Sequence, residues 1–270
     1  MAKLKDTSKQ GFISLFNRIA PHKHRYDLFR DFVIMSAISI HNAIVKSEEL
    51  EQEYLRIAKE YKEADLKGIA ELLAMLIELL EVEPTDVLGG LYMELGLGND
   101  KNGQFFTPDC VSLFCAQVTF QGAIDKLDNK QFITLSEPAC GAGGMILAFV
   151  KTMIEQKHSP HEKLFVQAID ICRLTSLMCY LQLSLWNVPA QVIVGNALSN
   201  EVREVFYTPA YYMFGWDMKL RVHSFMQRMR KLESELPTEP AEIENVIEQI
   251  ALPLGQVDLF DFDIIKNENN

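Results

Sequence analysis

The feature that most constrains the fold of this chain is a glycine-rich turn, CGAGG at residues 140–144. A short β-type run at residues 132–136 precedes the turn, and the helical pattern MILAFVKTMIEQ follows it. Glycine lets backbone amides approach a ligand closely, and the amino terminus of a helix favours negative charge. A strand, a glycine turn and a helix in this order therefore predict a ligand site at the end of the strand.

Further apolar runs follow the turn, and each ends in polar residues. Residues 164–169 end at Asp170, residues 191–194 end in GNALS, and residues 205–207 end in TPAYY. Because these runs alternate with helical segments, the sequence predicts an α/β fold with a parallel sheet built from right-handed crossovers. An acid at the end of the second strand can accept both hydroxyls of a ribose. The turn and Asp170 together predict a pocket for an adenosine-type cofactor.

The rest of the chain is predicted to be helical. Residues 10–97 form helices, among them one that begins at Ser47, a buried one at 68–81 and one capped by Asp86 or Thr85. After Asp217 the alternation stops and helices are expected on both sides of a proline-containing break. The predicted division is an N-terminal helical subdomain at 1–98, a cofactor-binding domain at 99–217, C-terminal helices at 218–252, and a tail at 253–270 whose polarity predicts flexibility.

Composition excludes several classes of protein. The chain has 270 residues and a formal charge of −11, which argues against a protein that coats nucleic acid unaided but leaves room for local basic patches. Its longest mostly apolar run is nine residues, residues 32–40, and includes two serines, whereas a membrane span needs roughly 20. Five cysteines without a CxxC motif indicate reduced thiols and a cytoplasmic location. His158 and His161 lack nearby partner ligands, so we expect no metal site.

Two motifs in sequence order resemble a known family. GQFFTP at residues 103–108 and EPACGAGG at residues 137–144 are similar to motifs of the bacterial adenine-specific DNA methyltransferases. The resemblance is strongest to the modification subunit of type I restriction systems, and the helix that begins DVLGGLY at Asp86 supports it. It covers about residues 85–215. The resemblance implies DNA methylation, on a Rossmann-like methyltransferase core with a short parallel sheet and S-adenosylmethionine as cofactor.

The resemblance also implies which residues contact the cofactor. In chain order they are Gly103, Phe106, Thr107, Pro108, Glu137, Pro138, Gly141, Gly143, Asp170, Ile171 and Asn196. Thr107 would bind the methionine carboxylate, Glu137 would face the amino group, and Asp170 would hold the ribose. Ile171 would pack on the adenine, and Asn196 stands where the family usually has an acid. The alternative is a glycine turn retained only for helix–sheet packing.

The catalytic motif of the family is altered in this sequence. Such enzymes carry Asn or Asp, two prolines, and Tyr or Phe at the end of the fourth strand. There the amide oxygen and a proline carbonyl accept the protons of the adenine amine, and the aromatic ring stacks on the flipped base. No Asn-Pro-Pro or Asp-Pro-Pro occurs in the 270 residues. By position Thr208 replaces the amide, with Pro209 and Tyr211 in their usual roles. Two interpretations remain open, a working methyltransferase and a catalytically degraded relative with a binding or regulatory role.

Three kinds of partner are suggested by the remaining features. Residues 219–231 carry five basic side chains at helical spacing and are either a DNA-contacting helix or a solvated surface. The family's sheet has about seven strands and only four are found here, so a second protomer or the C-terminal helices would have to cover an edge. Sequence readout would need a specificity subunit. The peptide Gln256–Phe260, QVDLF, resembles a motif that docks on the bacterial sliding clamp, which gives a third interpretation, a clamp-tethered accessory protein.

Overall fold

The computed structural model describes residues 8–98, 107–129 and 131–235. Gly103 and Phe106 lie outside the described residues, and so do the predicted helix at 240–252, the tail at 253–270 and its clamp-like peptide. The chain divides into two compact units, residues 1–216 and residues 217–270. Each unit is described by itself.

A four-stranded sheet forms the centre of the first unit. Its strands are β1 (Ile133–Glu137), β2 (Leu164–Asp170), β3 (Ala190–Asn196) and β4 (Glu201–Tyr207), and they lie side by side in that order. β1, β2 and β3 are parallel, whereas β4 runs antiparallel to β3. Every residue of β3 from its start through Gly195 is buried, as is typical of a strand covered on both faces. The fold is therefore mixed α/β with a mostly parallel sheet.

The orientation of β4 corrects one prediction from the sequence. The run at 205–207 is a strand, but the expectation that it continues the parallel sheet is wrong. Only four residues, 197–200, separate it from β3, and a parallel crossover needs a dozen or more. The connection is therefore a hairpin. The left-handed backbone of Asn200, with φ of 57°, lies in its turn, and the register shifts between Val194 and Gly195.

Helices cover the sheet. They are α6 (Asp109–Asn129), α7 (Gly144–Glu155), the short α8 (Pro160–Lys163), α9 (Arg173–Leu185) and α10 (Pro209–Met213). α9 packs on β2 and β3, and α6 packs along α7. The alternation of strand and helix predicted for residues 132–194 is confirmed.

In the described part of the chain, five further helices come before α6. They are α1 (Lys9–Phe16), α2 (Arg25–Asn42), α3 (Glu48–Ala58), α4 (Glu63–Leu80) and α5 (Val87–Glu94). α2, α4 and α5 contact α9, so these helices form a further layer against the sheet. One core cluster runs from Phe12 to Phe206 and crosses the predicted boundary at residue 98. The helices and the sheet therefore share one apolar core, and the finer division at 98 stays a prediction.

Helix boundaries follow the local signals in the sequence with one exception. The Ser47 hydroxyl accepts a hydrogen bond from the Leu50 amide at the start of α3. Asp86 caps α5 by accepting from the Gly89 amide at 2.7 Å. The break after α3 comes earlier than expected, because α4 begins at Glu63 rather than near residue 68.

An arginine joins three of these elements. Both terminal nitrogens of Arg173, at the start of α9, donate to the Glu53 carboxylate of α3 at 2.8 and 2.9 Å. Its Nε donates to Glu204 of β4 at 2.7 Å. Bidentate pairing of this kind is stronger than a single exposed contact, so the hairpin is tied to the N-terminal helices.

The second unit contains most of α11 (Trp216–Glu235), a helix that the sequence predicted from residue 218. Arg221 pairs with Asp217 one turn earlier, with 3.2 Å between nitrogen and oxygen. Across the described stretches of both units, none of the helices has the length and apolarity that crossing a bilayer would require.

A glycine substitution tests the hairpin. In Gly195→Ala the new Cβ would lie 2.1 Å from the backbone oxygen of Glu201. We expect a loss of about 1–3 kcal/mol in the free energy of unfolding, because β3 and β4 would have to separate. Urea denaturation measures it.

The matched control is Gly90→Ala within α5. There the nearest atom to the new Cβ is Lys9 Nζ at 3.5 Å, an ordinary contact. We expect this variant to be as stable as the wild type or up to about 1 kcal/mol more stable. Equal destabilisation by both substitutions would contradict the hairpin geometry.

Candidate functional site

The glycine turn has the backbone that its sequence suggests. Gly141 and Gly143 have φ of 52° and 95°, in the left-handed region that favours glycine. A Cβ on Gly143 would also lie only 3.0 Å from the Cys179 sulfur of α9. The hydrogen bond with the Cys179 thiol, together with burial, raises the pKa of Cys140 well above its ordinary value. Cys140 is therefore a protonated packing residue rather than a nucleophile.

Hydrogen bonds fix most of the backbone amides of the turn. The Cys140 amide donates to the Ile169 carbonyl at 2.8 Å, and the Gly143 amide donates to the Cys140 carbonyl at 2.8 Å. The Gly141 amide donates to Asp170 Oδ2 at 2.9 Å. Among the described residues, the amides of Ala142 and Gly144 have no such partner. Because α7 begins at Gly144, these two donors lie at a helix amino terminus, where a ligand oxygen or negative charge is favoured.

Asp170 is the residue that joins the turn to α9. Its Oδ1 accepts from the Cys172 amide at 2.8 Å and from the Thr175 hydroxyl at 2.9 Å, and its Oδ2 accepts from Gly141. A carboxylate offers about four acceptor positions. Asp170 therefore keeps capacity for about one further hydrogen bond, which suits one ribose hydroxyl and not two.

Parallel strands bring the other predicted contacts to the same edge of the sheet. Glu137 ends β1 and accepts from the Ala139 amide at 3.2 Å, next to the exposed Pro138. Asn196 ends β3, and its Oδ1 accepts from the Leu198 amide at 3.0 Å. Ile171 is 62% exposed beside Asp170. The carboxyl ends of β1, β2 and β3 thus present Glu137, Asp170 and Asn196 together with the turn.

The loop before α6 supplies two more predicted residues. Thr107 and Pro108 are exposed, and the Pro108 carbonyl accepts from the amides of Val111 and Ser112 at the start of α6. The structure thus describes the last two of the six residues of the GQFFTP motif. Its first four residues, 103–106, lie outside the described residues.

Thr208, Pro209 and Tyr211 lie at the opposite edge of the sheet. Because β4 is antiparallel, its last residue, Tyr207, pairs with Gln191 near the start of β3. The prediction that these residues occupy the catalytic position depended on a parallel fourth strand. The structure does not bring them together with the glycine turn.

The side chains of this segment have structural contacts. Thr208 is fully buried, and its Oγ1 accepts from the Ala190 amide at 2.9 Å and donates to the Val188 carbonyl at 2.7 Å. The Tyr211 ring packs on Tyr207, with centroids 4.4 Å apart. A hydroxyl and a ring engaged in this way support the start of α10 and are not presented to a substrate.

Two residues that hold the turn were missed by the sequence analysis. Thr175 binds Asp170, and Gln182 contacts the turn from α9. Their signal is polarity in an otherwise apolar helical run, since α9 reads RLTSLMCYLQLSL. A buried amide or hydroxyl needs a partner, but the sequence does not identify that partner.

Comparison with known proteins identifies the family of this chain. A family model described as N-6 DNA Methylase matches residues 85–220, just over half of the chain. The chain belongs to the N-6 DNA methylase family. The match includes the cap at Asp86, the glycine turn, Asp170 and the hairpin.

No curated protein matches the chain. A solved structure from Listeria monocytogenes, assigned to the class I S-adenosylmethionine-dependent methyltransferases, is 12% identical with a TM-score of 0.36. The alignment covers 67% of this chain and 51% of that one, so the chain spans about half the length of that protein.

The structural role of Thr208 is testable. In Thr208→Val the Ala190 amide loses a buried acceptor, so we expect a loss of about 1–3 kcal/mol in the free energy of unfolding. Thr208→Ser keeps the hydroxyl and serves as the control. Because the residue lies at the far edge, calorimetric affinity for S-adenosylmethionine should be unchanged. A large loss of affinity in a folded Thr208→Val protein would argue for a role in the site.

The Asp86 carboxyl provides a pH prediction. Burial raises its pKa above the ordinary value of 3.8, against the lowering effect of hydrogen bonds from Gln182 and Gly89. The folded protein then holds the proton more tightly than the unfolded chain. The Asp86 contribution to stability is therefore fully present below pH 3.8 and is lost as the pH rises through the folded pKa.

Asp86→Asn should remove this dependence. We expect the free energy of unfolding of the variant to fall less with rising pH, in the window above pH 3.8, than that of the wild type. Urea denaturation over a pH series gives the free energy of unfolding of both proteins. In the difference between the two curves, the contributions of the other acidic residues cancel. Parallel curves would show that Asp86 has no shifted pKa.

Proposed function

We propose that the chain binds S-adenosylmethionine at the carboxyl edge of β1, β2 and β3. The observation that carries the proposal is the glycine turn, which Asp170 holds in place while the amides of Ala142 and Gly144 stay without partners among the described residues. When bound, this cofactor supplies an electrophilic methyl group on a sulfonium centre.

The residues at this edge fit such a ligand by their chemistry. The two amides suit a ligand oxygen, and Asp170 can accept one ribose hydroxyl. Ile171 offers an exposed apolar surface for an adenine ring. Glu137 and the exposed Thr107 suit the amino and carboxylate groups of the methionine part.

We further propose that the chain acts as a cofactor-binding or regulatory member of its family rather than as an efficient methyltransferase. Adenine methylation needs an acceptor that takes the protons of the exocyclic amine beside the methyl donor. Thr208, the positional substitute, is buried at the other edge of the sheet. Loss of a preorganised polar group of this kind costs roughly 10²–10³ in rate, by analogy with oxyanion-hole donors.

The second candidate function is adenine-specific DNA methylation by this chain. Its support is the family match, which extends through the hairpin to residue 220. DNA would be contacted through the basic residues of α11, namely Lys219, Arg221, Arg228, Arg230 and Lys231. A restriction-modification setting and a specificity subunit or second protomer belong to this candidate as well. Tethering to a sliding clamp through residues 256–260 belongs instead to the binding or regulatory role.

Calorimetric titration with S-adenosylmethionine tests the cofactor site. We expect micromolar binding by the wild type and a loss of about 100-fold or more in Asp170→Ala, because the turn and the ribose both lose their acceptor. The matched control is Asp65→Ala in α4, which is distant in the chain from Asp170. It also removes a carboxylate that accepts from a backbone amide, that of Ala20 at 3.0 Å. Its affinity should equal that of the wild type. No binding by folded wild-type protein would refute the proposed function.

Transfer of a labelled methyl group to DNA separates the two candidates. With unmodified DNA, we expect the isolated chain to incorporate label at least about 100-fold more slowly than an intact adenine methyltransferase. Incorporation at a comparable rate, abolished by Asp170→Ala, would reject the regulatory interpretation and support the second candidate.

A further inference from the structure

The side-chain amide of Gln182 lies where three segments of the first unit meet. Gln182 is fully buried in α9. Its Nε2 donates to the Ala142 carbonyl of the glycine turn at 2.7 Å and to Asp86 Oδ1 at 2.9 Å. Its Oε1 accepts from the Leu88 amide of α5 at 3.0 Å. Both donors and the acceptor of one amide are thus used, and they connect the turn, α9 and α5.

The bond to Ala142 controls the orientation of one peptide group. The peptide between Ala142 and Gly143 has its carbonyl held by Gln182 and its amide held by the Cys140 carbonyl at 2.8 Å. A glycine turn without such restraints samples many backbone conformations. Because this peptide is restrained at both ends, the neighbouring amides of Ala142 and Gly144 keep fixed directions.

Asp86 connects the same peptide group to the N-terminal helices. Its carboxylate accepts from the Gly89 amide at 2.7 Å at the start of α5. It also packs against the first residue of α7, since a Cβ on Gly144 would lie 3.4 Å from the Asp86 Cβ. The start of α5 therefore contacts the glycine turn both directly and through Gln182.

We infer that Gln182 and Asp86 are positioning residues for the cofactor site, which hold the Ala142–Gly143 peptide so that the adjacent amides can bind the ligand. The inference rests on the proposed function. It adds that cofactor binding by the glycine turn depends on the N-terminal helices. Neither side chain needs to touch the cofactor. The competing explanation is that this network contributes only to the stability of the fold.

The test compares two buried glutamines of the same unit. Gln191 of β3 is also buried, and its amide is likewise hydrogen bonded, donating to the Tyr207 hydroxyl at 2.9 Å and accepting from Gln167 at 3.2 Å. It lies toward the opposite edge of the sheet. Gln182→Met and Gln191→Met each replace a buried amide by a flexible apolar chain of similar length.

We expect the dissociation constant for S-adenosylmethionine to rise at least tenfold in Gln182→Met and less than twofold in Gln191→Met. Melting temperatures of both variants are measured on the same samples. They show whether a loss of affinity is accompanied by a loss of stability. Equal affinities of the two variants, with the wild type binding, would overturn the inference and leave the proposed function intact. Absence of binding by the folded wild type would overturn both.

Hydrogen exchange gives a second readout that needs no cofactor. Exchange of the amides at 139–147 should be at least tenfold faster in Gln182→Met than in the wild type, and unchanged in Gln191→Met. If Gln182→Met does not fold, Asp86→Asn takes its place, because it keeps the shape of the side chain while weakening the bond from Gln182. Unchanged exchange of the turn in the folded variant would overturn the inference.

Discussion

The site depends on the hydrogen bonds of one carboxylate, Asp170. A glycine turn without restraints would have many conformations, and the entropy lost on ordering it has to be offset by specific contacts. Asp170 supplies them by accepting from the turn at Gly141 and from the start of α9 at Cys172 and Thr175. Asp170 was expected to hold a ligand. In the structure its hydrogen bonds fix the conformation of the glycine turn.

The hairpin between β3 and β4 is the second constraint, and it separates Thr208 from the glycine turn. In a parallel sheet every strand delivers its carboxyl end to one edge, so successive motifs meet there. An antiparallel fourth strand delivers its end to the other edge, and Thr208 is accordingly a buried structural residue. The ends of β1, β2 and β3 thus meet beside the glycine turn, whereas the segment that replaces the catalytic motif in the sequence has a structural role elsewhere.

Local signals predicted much of this unit correctly. The strands around the turn and the cap at Asp86 follow from patterns within a few residues. The partners of Gln182 could not be predicted in this way, because Ala142 and Asp86 are 40 and 96 residues distant in the chain. The buried side-chain amide of Gln182 needs hydrogen-bond partners, and the packing of α5 against α9 determines which groups lie within reach.

The sequence by itself determined the strand–turn–helix unit, the acid after the second strand and the family motifs, because each depends on residue types at short spacing. Only the tertiary structure decided the direction of β4, the number of acceptor positions left on Asp170 and the position of Thr208. Strand direction follows from the length of a connection and from which edge is free to pair. Hydrogen-bond capacity follows from which donors the fold brings within reach.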